Sequence, residues 1–129
     1  MNVEIKNQVS ESIESLKGAY YGLPRKLKAI YSYFSQIYTC AENLRNLGPR
    51  DVVRPYILEV AGKKLDGRVA KSLFRLLIAA SSDCSSKVQS RYANALKYAR
   101  NHYCPPTRLE SFIGEHRGIR GCIKNGAHR

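Results

Sequence analysis

Long apolar runs are missing from this sequence. No stretch approaches the ~20 consecutive apolar residues that a bilayer-crossing helix needs, and the polar amino-terminal residues lack the apolar core of a secretory signal. We therefore expect no membrane association and a cytoplasmic protein. Strict polar/apolar alternation is missing too, which argues against half-buried strands. No segment recurs at a fixed period, so a solenoid is not expected.

Carboxylates are scarce, ten against 22 Lys and Arg. Several of the ten stand where helix caps belong, which leaves few for acid-base chemistry. There is no G-x-S-x-G, no P-loop and no H-E-x-x-H. His102, His116 and His128 all fall near the carboxyl end, and none is spaced from a Cys or carboxylate as a helical dyad would be. Glu115 and His116 are adjacent and point apart on a helix. No enzyme activity and no cofactor are expected. The cysteines, Cys40, Cys84, Cys104 and Cys122, include no C-x-x-C pair. Without a secretory signal they read as reduced thiols. His102, Cys104, His116 and Cys122 match no familiar zinc spacing, and no metal site is expected.

What is abundant is positive charge. The formal net charge is +12, yet residues 1–18 carry Lys6 and Lys17 against Glu4, Glu11 and Glu14, so the remaining 111 residues hold +13. Such an excess repels itself unless an anionic partner offsets it. Nucleic acid is the commonest such partner, ahead of acidic proteins, although a basic surface can also be simply solvated.

At 129 residues, with 43% hydrophobic residues, the chain suits one core rather than two. Ile5, Val9, Ile13 and Leu16 share one face of a first helix that the glycines Gly18 and Gly22 end. Pro24 opens a second, in which Leu23, Leu27, Ile30, Phe34, Ile37, Ala41 and Leu44 form a seam over about three heptads. We read this seam as internal to a monomer rather than as a zipper through residues 23–44. Tyr31, Tyr33 and Tyr38 widen it beyond one stripe.

A linker of residues 43–49 precedes a helix holding Val53, Ile57 and Ala61, whose start is set by Asp51 or by Pro55, and Gly62 closes it. Asp66 caps a fourth helix through Ala80, with Val69, Leu73, Leu76 and Leu77 inward and Arg68, Lys71 and Arg75 outward. Ser81 to Ser86 breaks it, and a fifth helix runs from Lys87 to about Tyr103. Its Val88, Tyr92, Ala95, Leu96, Ala99 and Tyr103 face inward, while Lys87, Arg91, Asn94, Lys97 and Tyr98 face out. Pro105 and Pro106 stop it. Thr107 to Glu110 reads as a capping box for a short helix with Leu109, Phe112 and Ile113 inward. Gly114, Gly118 and Gly121 then break the chain, leaving one last turn at Ile119 to Ile123.

The sequence therefore predicts an all-α domain of about six helices over residues 1–123, with residues 124–129 as a flexible basic tail. The central pair of helices resembles a helix-turn-helix in broad outline, although its six-residue break is longer than the usual turn and lacks a central glycine. The resemblance implies a small DNA-binding regulator or accessory factor whose second central helix enters a groove. Arg91, Asn94, Lys97 and Tyr98 would lie nearest the bases, because Arg, Lys and Asn read base edges. Arg25, Lys26, Lys28, Arg68, Lys71, Arg75 and Lys87 would hold phosphates. The alternative is an adaptor or inhibitor that presents the same face to an acidic protein.

Overall fold

The structure, a computed structural model, describes residues 3–24, 29–62 and 72–127, without the side chains of Arg50 and residues 125–127. These residues form seven α-helices and no strand: α1 (Val3–Tyr21), α2 (Ile30–Leu47), α3 (Arg50–Ala61), α4 (Leu73–Ser81), α5 (Ser86–Asn101), α6 (Leu109–Glu115) and α7 (Gly118–Ala127). A 3-10 turn, Pro106–Arg108, leads into α6. The expected positions Arg25, Lys26, Leu27, Lys28, Asp66, Arg68, Val69, Lys71 and His128 lie outside the described residues.

Apolar spacing explains most of the packing. Val9, Ile13 and Leu16 of α1 are buried and Ile5 is half-buried, as their spacing by four, four and three predicts. The seam of α2 is filled by the chain's own helices: Phe34, Ile37, Ala41 and Leu44 are buried, and α2 packs on α1, α3, α4 and α6. The widening by tyrosine is also present, with Tyr33 and Tyr38 buried.

α4 is the centre. Eight of its nine residues are buried, all but Arg75, and it touches α1, α2, α3 and α5. A helix apolar all round is stable only with neighbours on every side. This corrects the expected single apolar stripe over residues 73–81; of the expected outward cations Arg68, Lys71 and Arg75, only Arg75 lies among the described residues. It begins after Ser72, whose extended backbone and hydroxyl, accepting from Arg75 N at 3.3 Å, form the cap.

Other boundaries differ for local reasons. α1 runs through Gly18 to Tyr21. α2 continues to Leu47, so the expected linker shrinks to Gly48 and Pro49, and α3 starts at Arg50 with Pro55 inside it. Gly62 closes α3 in the left-handed conformation, φ 63°, which favours glycine. The capping box does not form, because the chain enters α6 through the 3-10 turn and Arg108, not Thr107, precedes the helix. The expected last turn is a ten-residue helix, and residues 124–127 of the expected tail belong to it. Gly121 permits this, since a Cβ there would run into the carbonyl of His116.

Candidate nucleic-acid interface

α5 is set in place at both ends. The Ser85 hydroxyl accepts from Val88 N at 3.3 Å, and at the far end His102 N reaches the Ala99 carbonyl at 3.1 Å. Its inner face is built from Ala93, Ala95, Leu96 and Ala99, small enough for close approach to α4 and α7. Its outer face exposes Lys87, Asn94, Lys97, Arg100 and Asn101, with Arg91 half-buried. Four of the residues assigned to this helix by sequence, Lys87, Arg91, Asn94 and Lys97, thus share one solvent-facing side.

Two aromatic assignments are reversed. Tyr98 is buried, 8% exposed, against His102, Phe112 and His116 at ring separations of 4.2, 5.8 and 5.5 Å. Phe112 and His116 cover this side of the helix's carboxyl half, whereas Lys87 near its start is exposed. Tyr103, expected inside, is 93% exposed with φ 56°, because the helix has already ended at Asn101. Tyr98 is therefore removed from the base-reading set.

Arg75 is the one cation among the described residues of α4, and it is engaged within the protein. Its Nη2 donates to the Ser86 hydroxyl at 2.7 Å and to the Ser86 carbonyl at 3.3 Å, while its Nε is buried with no hydrogen-bond partner among the described residues. It ties α4 to the start of α5 rather than standing free for a phosphate.

The ion pairs are unevenly placed. Those among the described residues are Lys6 to Glu59 at 2.6 Å, Lys17 to Glu14 at 3.5 Å, and Arg45 and Arg100 to the shared Glu42 at 3.0 and 3.3 Å. Lys87, Arg91, Lys97, Arg108, Arg117, Arg120 and Lys124 make none among the described residues. Residues 87–127 hold eight Lys and Arg against Glu110 and Glu115, a net of +6.

Sequence reasoning missed Arg45. Its guanidinium lies 5.0 Å from the centre of the Phe74 ring, and burial, followed by the neighbouring Arg100, makes its charged form harder to hold than usual. Lys97, Arg100 and Asn101 give a signal, since spacings of three and four put them on one helix face. The approach of Arg45 across α2 gives none.

Among the described residues, no three of His, Cys, Asp and Glu gather as a metal site. His102 and His116 instead point Nδ1 at the carbonyls of Tyr98 and Phe112, at 2.9 and 2.8 Å. All four cysteines are unpaired. No helix of the described residues is long and apolar enough to cross a membrane. No protein-family model, no curated protein and no solved structure matches the chain.

Proposed function

We propose that the protein binds nucleic acid, duplex DNA by preference, through the outer face of α5, and acts as a small regulator or accessory factor. The observation that carries this reading is the concentration of exposed cations on α5 to α7, of which only Arg100 has a carboxylate partner among the described residues, next to α1 to α3 where the other ion pairs lie. Phosphates are the natural counter-charge for such a surface. In this reading α4 and α5 act in the manner of a helix-turn-helix pair, with α4 as the buried support and α5 as the helix presented to the groove. Lys87, Arg91 and Lys97 meet phosphates or guanines, and Asn94 offers the bidentate amide that suits adenine.

The test is a titration of labelled duplex at several salt concentrations. Each phosphate contact contributes about −0.9 to the slope of log K against log salt, so Lys87, Arg91 and Lys97 alone give about −2.7. Lys87→Ala should flatten the slope by about 0.9 on every sequence. Asn94→Ala should cost about 1–3 kcal/mol on a preferred site and little on random duplex. No shift at ~50 mM salt, where the electrostatic attraction is strong, would sink the proposal and turn attention to acidic protein partners.

A further inference from the structure

At the carboxyl end of the α5 face, a surface cavity of about 550 Å³ opens between four helix ends. Arg45, Lys97 and Arg100 line it, with Asp51 as the one carboxylate among the described lining residues, and the starts of α3 and α4 form the opposite wall through Pro49, Asp51, Ser72 and Leu73. The first-turn N–H groups of a helix have no acceptor within it. Pro49 offers α3 no side-chain cap, and on α4 the Ser72 hydroxyl takes only the N–H of Arg75. Three cations and two positive helix ends thus converge on one concavity of ligand-binding size.

The charges are only partly offset from within. Arg45 and Arg100 share a single carboxylate oxygen of Glu42, and Glu42 lies on the wall of the neighbouring cavity, not of this one. Lys97 has no ion-pair partner among the described residues. That neighbouring cavity, about 520 Å³, shares the Arg100 and Asn101 wall and is bordered by Tyr103. Tyr103 holds its ring almost wholly in water on a left-handed backbone, an arrangement that costs free energy and presents a flat aromatic beside the cations.

We propose that this crevice binds the terminal phosphate of a nucleic-acid strand, with the phosphate between Arg45, Lys97 and Arg100 and the terminal base against Tyr103. A terminal monoester carries close to two negative charges and enters a concavity end-on. A backbone diester carries one and runs past. Among the described residues, Arg45, Lys97 and Arg100 face Asp51 and the shared Glu42, a net positive charge that suits the former. The inference rests on the nucleic-acid reading of α5 and assigns its far end a distinct task.

The experiment compares one oligonucleotide duplex prepared with 5′-phosphate ends, with 3′-phosphate ends, and with hydroxyls throughout, by fluorescence anisotropy on the full chain. One phosphorylated form should bind about tenfold tighter than the hydroxyl form, the effect of a charge-assisted hydrogen-bonding site. Lys97→Gln should abolish that ratio. Lys87→Gln, at the other end of α5, should weaken all forms and leave the ratio intact. Asp51→Asn, which removes the competing carboxylate at an exposed position, should raise it. Tyr103→Ala should lower it. A salt-dependent affinity equal for all ends would overturn the end-binding inference and leave the α5 reading standing. Absence of binding to every duplex would defeat both. Displacement by a free nucleoside monophosphate at the concentration that works for the phosphorylated duplex would identify the ligand as a free nucleotide and refute the strand end.

Discussion

A buried hydroxyl relay joins α2 to the end of α4, and it has a direction that mutation can read. Tyr33 and Ser81 are both fully buried, and their hydroxyl oxygens are 2.6 Å apart. Ser81 Oγ also lies 2.6 Å from the Leu77 carbonyl, which can only accept, so the one serine proton is committed there. Tyr33 must therefore donate to Ser81. Tyr33→Phe removes a donor and leaves Ser81 still bonded to Leu77, a loss of about 0.5–1.5 kcal/mol. Ser81→Ala is worse, because it strands the Tyr33 proton in the core at a cost of about 1–3 kcal/mol. The Ser82 hydroxyl, already donating to Ile78 at 2.6 Å, is the one nearby substitute and sets the lower end of that range. The double variant should cost little more than Ser81→Ala alone, since the stranded proton is then gone. Urea unfolding followed by circular dichroism measures all three. A larger loss for Tyr33→Phe than for Ser81→Ala, or simple additivity, would refute the direction of the relay.

Leu77, buried without exposure in the central helix, should cost about 2–5 kcal/mol on replacement by Ala, and a change below about 0.5 kcal/mol would contradict its place in the core. Burial pushes the Cys40 thiol from 9.0 up to about 11, against a smaller opposing effect of the Ser12 hydroxyl. The unfolded chain therefore releases this proton first: the stabilisation is intact below pH 9 and is lost between pH 9 and about 11, about 3 kcal/mol in all. Urea midpoints across that range should fall less steeply for Cys40→Ala than for the wild type, and parallel profiles would reject the assignment.

Where one face decides the outcome, the sequence was readable. The four-and-three spacing in α1 and α2 placed Val9, Ile13, Phe34 and Ile37 correctly, because an amphipathic helix has one way to bury a single stripe. α4 was harder, since Phe74, Ile78 and Ala79 fall off the main stripe and are buried only because neighbours close on every side. Tyr98 illustrates the same limit from the other direction: its spacing from Lys87 and Arg91 marks it as exposed, and only the return of α6 and α7 covers it. The glycines near the carboxyl end were read by propensity as breakers, whereas close approach at Gly121 makes one of them a requirement of α7. Of the candidate site, the α5 stripe was legible from periodicity. The crevice was not, because Arg45 joins it through tertiary packing of α2 over α4 and α5.

The same uneven charge makes folding and binding respond to salt in opposite directions. In water, two unit charges about 10 Å apart repel by about 0.4 kcal/mol, and residues 87–127 carry eight Lys and Arg against only Glu110 and Glu115. Folding gathers these cations, so the native state bears more repulsion than the extended chain. The exposed pairs that salt would weaken, Lys6 to Glu59 and Lys17 to Glu14, are worth little each. Screening of the repulsion should therefore win, and stability in urea, an uncharged denaturant, should rise by about 1 kcal/mol between low salt and ~0.5 M sodium chloride. Affinity for duplex should fall over the same range, because released counterions no longer favour the complex. Glu substitutions at Arg117 and Arg120, exposed cations remote from the α5 stripe in sequence, should raise stability at low salt and remove part of the gain that salt brings. A stability that falls as salt rises would show that the native ion pairs outweigh the cation excess, and would remove the physical reason for assigning these helices an anionic partner.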